Sequence, residues 1–349
     1  MAINPAFLTV LSADAETRQG LFATTARRLG TSERNVEKDL WVCLTLDILF
    51  NGLEPGGPRL LFKGGTSLSK AYGLIARFSE DIDVTVFRDD LGEPGTVEAL
   101  AALGGKRRNA RLDAIRDACR AYINGPLLAQ LIVAFGAVTT EAGHPPVEIV
   151  PDPEDPTGQG LQVRYASVTA GDDDYIRPIV RIESGAKSAL DPNTPRVLTP
   201  YVAADLPDTD FSIPGVMTVD PRRTFWDKVV ILHGLRRWYD IRAELRQEGQ
   251  RISRHYYDLH RLLASDVGGA ADDLALGEDC VLHARMFFNR PDFDLASAKS
   301  GSFALLPTGD ILNRLRRDYE AMSIMIFGDA PAFEEVIASV AALEARLNG

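Results

Sequence analysis

The feature that most constrains the fold is an ordered run of signals in the first hundred residues. A short apolar run, Arg59-Leu60-Leu61-Phe62, is interrupted by Gly64-Gly65, after which Thr66 or Ser67 can cap a helix. From Asp81 to Val86, apolar residues alternate with polar ones, which is typical of a half-buried strand. The predicted order is therefore strand, glycine turn, helix, strand. The apolar positions of this helix are Leu68, Ala71, Leu74 and Ile75.

The flanking segments predict further helices and strands around this unit. Apolar residues recur every four positions from Val36 to Ile48, which predicts a helix that ends near Asn51-Gly52. A basic helix is predicted for about Lys106 to Asn124, followed by an apolar stretch from Leu127 to Val138. Later strand signals lie at Leu161 to Tyr165 and Ile176 to Glu183, and we expect the sheet to end near there. The pattern predicts an α/β (α+β) fold.

The length of 349 residues exceeds one usual domain, so we expect two. Residues 191–221 hold many prolines, and the patterns after them are helical. We therefore assign residues 1–215 to a core with N-terminal helices and residues 216–349 to a helical domain. The helical patterns of the second domain are Thr224 to Trp238, Arg254 to Ala264 and Ala332 to Leu347.

The charge balance is acidic overall and basic in two places. A formal net charge of −11 disfavours binding to a nucleic-acid backbone through the overall field. However, the segment from Lys106 to Arg120 contains six basic and two acidic residues, and the segment from Arg222 to Arg261 contains ten basic and five acidic residues. These segments predict either solvated helix faces or local contacts with nucleic acid.

No signal for secretion or membrane insertion is evident. The first residues lack a basic segment followed by an apolar run, and we expect no stretch that approaches the roughly 18 apolar residues of a membrane span. The three cysteines, which are far apart, predict neither a disulfide framework nor a zinc site. We expect a cytoplasmic protein without a membrane partner.

Two carboxylates on the predicted second strand carry the strongest chemical signal. Residues two apart on a strand project from one face, so Asp81 and Asp83 point the same way. Two adjacent carboxylates repel each other unless a cation lies between them, and oxygen ligands suit Mg²⁺ or Mn²⁺ bound together with substrate phosphates. Backbone N–H groups of Gly64 and Gly65 can approach phosphate oxygens, and two hydroxyls follow at Thr66 and Ser67. The alternative is a tight turn before a surface strand.

At this point the sequence resembles a known family. Phe62-Lys63-Gly64-Gly65-Thr66-Ser67-Leu68-Ser69-Lys70, followed by Arg77-Phe78-Ser79-Glu80-Asp81-Ile82-Asp83-Val84, looks like the first motif of AbiEii/MenT-type nucleotidyltransferase toxins. These belong to the DNA polymerase β-like nucleotidyltransferase superfamily, so the resemblance implies that core fold, with a mixed sheet flanked by helices. The earlier Glu37-Lys38-Asp39 is similar to an acidic-basic-acidic helix start of these toxins, and we expect it to be a solvated first turn.

The resemblance also implies a lysine and an aspartate in the helical half. Lys228 matches the family lysine, and its position in the middle of the apolar stripe of its helix supports a role, because lysine is seldom buried without a partner. The family's last motif is similar to Arg254-His255-Tyr256-Tyr257-Asp258-Leu259. Asp258 either orients Lys228 or a substrate-binding arginine, or forms surface ion pairs with Arg254 and Arg261.

Members of the superfamily often use a third carboxylate on a later strand as a base or an extra metal ligand. Glu183 is our choice because it ends a predicted strand and precedes a glycine turn. Glu148 and Asp152 remain alternatives.

Taken together, the resemblance implies transfer of a nucleoside monophosphate from a nucleoside triphosphate to an acceptor hydroxyl. In such toxins the acceptor can be the 3′ end of tRNA, and the protein would be the toxin of a toxin–antitoxin pair with a cognate antitoxin. Lys228 would stabilise the leaving pyrophosphate and Glu183 could accept the proton. The alternatives are a protein or small-molecule acceptor, or a non-catalytic nucleotide-binding module.

Overall fold

The computed structural model describes residues 3–169, 177–246 and 251–349. The chain divides into two compact units. Unit 1 is drawn from Met1–Ala71, Phe78–Gly95 and Gly105–Val219, and unit 2 from Tyr72–Arg77, Thr96–Gly104 and Asp220–Gly349. Two short segments of the first hundred or so residues thus belong to the same unit as the C-terminal part of the chain.

Unit 1 contains one mixed sheet of seven strands among its described residues. The strand order is β3-β4-β5-β2-β1-β7-β6. β1 is antiparallel to β2 and parallel to β7, while β2 is parallel to β5, so the middle of the sheet is formed by segments far apart in sequence. The strands are β1 (Leu60–Lys63), β2 (Asp81–Val86), β3 (Glu148–Pro151), β4 (Gly160–Arg164), β5 (Ile179–Gly185), β6 (Asn193–Leu198) and β7 (Ile213–Val219).

Helices accompany the sheet, as the sequence pattern predicts. α3 starts after Ser32, whose side chain accepts a hydrogen bond from the backbone N–H of Asn35 and so caps the helix. Its apolar side chains pack against the sheet, where the buried faces of the strands meet them. The α/β prediction of a mixed sheet flanked by helices is confirmed. The helices of unit 1 are α1 (Ala6–Leu11), α2 (Ala15–Leu29), α3 (Glu33–Asp47), α4 (Gly64–Lys70), α6 (Gly105–Tyr122) and α7 (Leu128–Glu141).

Unit 2 is helical over its described residues apart from one isolated bridge between Arg77 and Ile326. Its longest helix, α8, is capped by the Asp220 side chain and has proline at its first position, where a missing N–H costs nothing. α9 and α10 pack against it, α11 and α12 pack against α9, and α5 packs against α10. The helices of unit 2 are α5 (Val97–Ala101), α8 (Pro221–Arg242), α9 (Ser253–Leu263), α10 (Leu274–Phe287), α11 (Asp310–Ser323) and α12 (Phe333–Asn348).

The sheet does not end near Glu183, so that prediction is wrong. β6 and β7 follow in the proline-rich segment, and β7 pairs with β1 in the sheet interior. Pro195 lies on β6, the edge strand, where its missing N–H breaks no ladder between two neighbours. Two strands were therefore missed from the sequence. The predicted strand start at Ile176 lies outside the described residues.

The helix after the glycine turn is shorter than its apolar pattern predicted. α4 begins at Gly64, before Thr66 and Ser67, and ends at Lys70. Gly73 then adopts a positive φ of 63°, which is a left-handed conformation that does not continue a helix. The predicted positions at Leu74 and Ile75 therefore lie beyond the helix.

One helical stretch contradicts the expectation that no segment approaches the length of a membrane span. Gly105–Glu141 contains an 18-residue window that is apolar enough, by length and composition alone, to cross a membrane. One third of that window is buried in the protein. In α7, which belongs to this stretch, the side chains of Leu131, Phe135 and Val138 are buried. The core helix of a soluble protein meets the same criterion of length and composition.

Candidate active site

Three carboxylates lie at neighbouring positions on β2 and β5. In the parallel pairing of these strands, Asp83 lies opposite Glu183, and Asp81 lies two residues earlier on β2. Because alternate residues of a strand share a face, the three belong to one face of the sheet, whereas Ile82 and Ile182 are fully buried on the other. The register therefore places Glu183 next to the acidic pair.

The alternative third carboxylates lie elsewhere in the sheet. Glu148 is on β3, which is separated from β2 by β4 and β5. Asp152 accepts a hydrogen bond of 2.8 Å from Gln162 and lies 3.7 Å from the Arg181 guanidinium. The strand order thus favours Glu183 over Glu148, and Asp152 directly follows β3, the same edge strand.

Gly64 is required where the turn meets the acidic strand. Its φ is +76°, and a Cβ placed on it would lie 2.0 Å from Asp83 Oδ2 and 2.6 Å from Asp83 Cγ. Real Cβ atoms do not approach other atoms so closely, so the missing side chain is the space that the Asp83 carboxylate occupies. The turn and the carboxylate are in direct contact.

Lys63 also contacts the acidic strand. It is the last residue of β1, lies opposite Asp83 in the antiparallel pairing, and its Nζ is 3.4 Å from Asp83 Oδ1. About a quarter of each side chain is exposed, with 27% for Lys63 and 25% for Asp83, so the pair lies at the surface of unit 1. The sequence motif contains Lys63 but gave no reason to assign it to the site, because the pairing of β1 with β2 is what brings it to Asp83.

The hydroxyls of Thr66 and Ser67 are used inside the protein. Both side chains are fully buried. The Thr66 hydroxyl donates to the backbone carbonyl of Asp81 and lies 2.8 Å from the Ser79 hydroxyl, while Ser67 donates to the Gly64 carbonyl at 2.8 Å. These contacts tie the turn to the start of β2. Binding of phosphate by the two hydroxyls stays a prediction.

The donor set suits a hard divalent cation, although it does not form a complete protein cage. Within residues 3–169, 177–246 and 251–349, no group of three or more His, Cys, Asp or Glu side chains has the arrangement of a metal site. Mg²⁺ is usually held by one or two carboxylates together with substrate phosphates, and Asp81 and Asp83 provide such a pair. The residues present therefore fit a cation that arrives with a nucleotide.

Unit 2 contains a buried cluster of two cations and one carboxylate. Asp258 is fully buried and accepts hydrogen bonds of 2.8 Å at Oδ1 and 2.9 Å at Oδ2 from the Arg77 guanidinium, and Lys228 Nζ lies 2.7 Å from the same Oδ2. Burial opposes ionisation of Asp258, but Arg77 and Lys228 outweigh it and hold its pKa below the ordinary value. Burial lowers the pKa of Lys228, and Asp258 opposes that change.

This cluster decides between the two predictions for the surroundings of Asp258. Surface ion pairs with Arg254 and Arg261 were one alternative, and the fully buried carboxylate instead contacts Lys228 and Arg77. Arg77 was missed as a partner because it is distant in sequence and belongs to the short segment Tyr72–Arg77 of unit 2. What these groups do in a reaction stays a prediction.

The prediction that Glu37-Lys38-Asp39 forms a solvated first turn is wrong. The three residues expose only 2%, 4% and 2% of their surface. Every residue of α3 from Asn35 to Asp47 is buried, because this helix is covered on all sides rather than on one apolar stripe.

A β-sheet that aligns an acidic pair beside a glycine turn is an arrangement suited to nucleotidyl transfer, and comparison with known proteins identifies the class. A family model described as the nucleotidyl transferase AbiEii toxin of type IV toxin–antitoxin systems matches residues 47–339. The protein is therefore a nucleotidyltransferase. It belongs to the AbiEii toxin family.

Other comparisons add little to this assignment. Among solved structures, the chain is similar to MenT4, a nucleotidyltransferase toxin from Mycobacterium tuberculosis. The two share 17% sequence identity over 93% of this chain and 89% of that chain, with a TM-score of 0.48. No curated protein sequence matches the chain.

Proposed function

We propose that this nucleotidyltransferase moves a nucleoside monophosphate from a nucleoside triphosphate to the 3′ end of tRNA. The observation that carries the proposal is the register of β2 and β5, which puts Asp81, Asp83 and Glu183 on one face beside the turn at Gly64. In the reaction, the acceptor oxygen forms a bond to the α-phosphorus while the bond to pyrophosphate breaks, and the acceptor hydroxyl loses its proton.

The residues of unit 1 have separate roles in this step. Asp81 and Asp83 would hold Mg²⁺ or Mn²⁺, and the bound cation would neutralise phosphate charge and lower the pKa of the attacking hydroxyl. Gly64 and Gly65 offer backbone N–H groups to the phosphates without a side chain in the way. Glu183, which lies opposite Asp83 on the neighbouring strand β5, accepts the proton of the acceptor hydroxyl.

We assign Lys228 and Asp258 the roles that the family resemblance implies. Lys228 stabilises the charge that develops on pyrophosphate, and Asp258 orients the lysine. The ion pair of 2.7 Å between them supports the second role, because a fully buried carboxylate restricts where the ammonium group can lie. Residues 1–215 are proposed as the nucleotidyltransferase core and residues 216–349 as the helical domain.

The tRNA acceptor is supported by one of the two basic segments. On α6, Arg111 and Arg116 are paired with acidic side chains, whereas Lys106, Arg107 and Arg108 form no ion pair among the residues that the structure describes. Lys106 and Arg107 are exposed, so their charges are available for phosphate contacts.

The second basic segment offers less positive surface than its sequence suggests. Its arginines on α8 mostly face aspartates of unit 2, and Lys228 is buried against Asp258. We therefore assign RNA contact to α6 rather than α8. The pairs are Arg222 with Asp220, Arg223 with Asp279, Arg236 and Arg237 with Asp240, and Arg242 with Asp292.

A labelling experiment tests the reaction and its acceptor. Purified protein is incubated with each of the four α-labelled nucleoside triphosphates and with total RNA, with protein or with neither. We expect label in RNA of tRNA size, lost in Asp83→Asn and retained in Asp208→Ala, an exposed aspartate outside α6 and the sheet. Label that appears only in protein would exclude the RNA acceptor. A protein acceptor is the main alternative to test, because the net charge of −11 disfavours binding to a nucleic-acid backbone.

A growth experiment tests the proposed biological role. Membership of a type IV toxin–antitoxin family implies a cognate antitoxin, and we propose that the protein acts in the cytoplasm as a growth-inhibiting toxin. Expression of the wild type in a bacterial host should slow growth, and expression of Asp81→Ala should not. Equal growth of both strains would contradict the toxin role, and equal inhibition by both would favour a non-catalytic nucleotide-binding module.

A further inference from the structure

Two consecutive charged side chains of α3 contact residues that adjoin the candidate site in unit 1, one beside the acidic strand β2 and one in the helix α4 after the glycine turn. Consecutive residues of a helix point about 100° apart, so Lys38 and Asp39 reach different neighbours. Both are buried, with 4% and 2% of their surface exposed. Both precede the region that the family model matches, which begins at Asp47.

Lys38 holds the start of the acidic strand. Its Nζ lies 2.7 Å from Glu80 Oε2, and Glu80 is joined by a peptide bond to Asp81. The side chain of Lys38 is 4% exposed and that of Glu80 20% exposed, so water screens this pair only in part. A displacement of Glu80 would move Asp81 with it.

Asp39 holds the helix that follows the glycine turn. Its carboxylate lies 2.7 Å from Nζ of Lys70, the last residue of α4, and accepts a hydrogen bond of 2.7 Å from the backbone N–H of Tyr201. The Lys70 ammonium group also lies 3.6 Å from the centroid of the Tyr201 ring, which is a cation–π distance. Burial raises the pKa of Asp39, and the contacts with Lys70 and Tyr201 oppose that rise.

Burial of these ion pairs is not explained by stability alone. A buried ion pair is on average no more stabilising than apolar side chains of the same volume, because both charges lose their hydration. It does specify geometry, because each charge has one place where it is compensated. Adjacent positions on one rigid helix thus define where α4 and the start of β2 lie relative to each other.

We propose that Lys38 and Asp39 are positioning residues that keep the glycine turn and Asp81 at the spacing nucleotidyl transfer requires. The functional half of this proposal rests on the proposed function. Neither side chain touches substrate in it. Their effect passes through Glu80 and Lys70 to the groups that do.

The test needs variants that fold and a matched control. Lys38→Met keeps the unbranched stem and removes the charge, and Glu80 retains some exposure to water. The double variant Asp39→Asn/Lys70→Met removes both charges, so no buried charge loses its partner. Asp47→Asn is the control, because Asp47 is a 2% exposed carboxylate on the same helix. The partners of Asp47 are the Asn4 backbone N–H at 2.7 Å and the Asn51 amide at 2.9 Å, outside the glycine turn and β2.

Amide hydrogen exchange measures positioning directly. We expect faster exchange at residues 79–83 in Lys38→Met and at residues 64–70 in the double variant, and wild-type exchange at both in Asp47→Asn. Unchanged exchange in the first two variants, or equal acceleration in Asp47→Asn, would overturn the proposal. This readout does not depend on the identity of the acceptor.

Steady-state kinetics measures the consequence. Removal of a group that orients catalytic residues typically costs about 10- to 100-fold in activity, so we expect kcat to fall by that factor in Lys38→Met and in the double variant. Lys38→Arg, which can keep the ion pair, should recover most of kcat, and Asp47→Asn should leave it unchanged. If the wild type transfers no nucleotide, the proposed function fails, and hydrogen exchange still decides whether Lys38 and Asp39 position the two segments.

Discussion

Replacement of Gly64 by alanine should abolish most of the transfer activity while leaving the protein folded. Two costs can be separated. At a φ of +76°, alanine carries a backbone strain of about 1–2 kcal/mol, because left-handed conformations bring Cβ too close to the backbone. The second cost comes from the new Cβ, which would lie 2.0 Å from Asp83 Oδ2.

The displacement of Asp83 sets the expected size of the effect. Ordinary non-bonded contacts begin at about 3.5 Å, so the carboxylate must retreat by roughly 1.5 Å. A misplacement of about 1 Å in a catalytic group can cost on the order of 100-fold in rate. We therefore expect at least that loss in kcat for Gly64→Ala. A strain of 1–2 kcal/mol should lower Tm by only several degrees, at about 2–4 °C per kcal/mol.

Gly92→Ala is the matched control. Gly92 has a φ of +73°, close to that of Gly64, and no described atom lies within 4 Å of a Cβ placed on it. It should lose a similar amount of Tm and keep its activity. Transfer by Gly64→Ala at the rate of Gly92→Ala, measured with labelled triphosphate under saturating conditions, would refute the contact between the turn and Asp83 as a requirement of the site.

Three further perturbations follow from the structure. Thr66→Val should lower kcat and cost about 1–3 kcal/mol of unfolding free energy, because it removes the hydrogen bond to the Asp81 carbonyl. Thr66→Ser should keep the wild-type kcat and unfolding free energy. Equal urea unfolding curves for the two variants would contradict this. Asp258→Asn should cost about 3–5 kcal/mol in urea unfolding, because Lys228 and Arg77 lose their buried counter-charge; a loss below about 1 kcal/mol would show that the cluster is not stabilising. His233, a buried residue whose Nδ1 accepts from the Ala304 N–H, has a pKa lowered mainly by burial. Its contribution to stability is therefore fully present above about pH 6.5 and is lost as pH falls from there through the folded pKa, by at most about 1.4 kcal/mol at pH 5.5. His233→Gln should weaken the decrease of Tm between pH 7 and pH 5.5, and an unchanged slope would contradict the assignment.

The sequence alone predicts the local features of the site correctly. Alternation of apolar and polar residues places Asp81 and Asp83 on one face of β2, because a strand has a period of two whatever it pairs with. The glycines mark the turn because Gly64 needs a positive φ. The helix over Val36 to Ile48 follows from its spacing in the same way. Each of these depends on residues that are close in the chain.

The tertiary structure decides what those features meet. The pairing of β1 with β2 brings Lys63 to Asp83, and the pairing of β2 with β5 brings Glu183 to the same face. Arg77 joins Asp258 across 181 positions of sequence. No periodicity encodes such pairings, because they result from the packing of the whole sheet or helix cluster.

Burial is the second property that only the folded chain reveals. The charges of Glu37, Lys38 and Asp39 predict a solvated turn when read locally, yet α3 is enclosed and each charge has a partner. Likewise, the last strand signal predicted an end to the sheet near Glu183, whereas β6 and β7 follow it, and β6 lies at an edge that tolerates proline. The sequence thus determined the class of chemistry through the glycine turn and the acidic pair. The fold decided which other charges surround that pair, because compensation of a buried charge depends on neighbours that are distant in sequence.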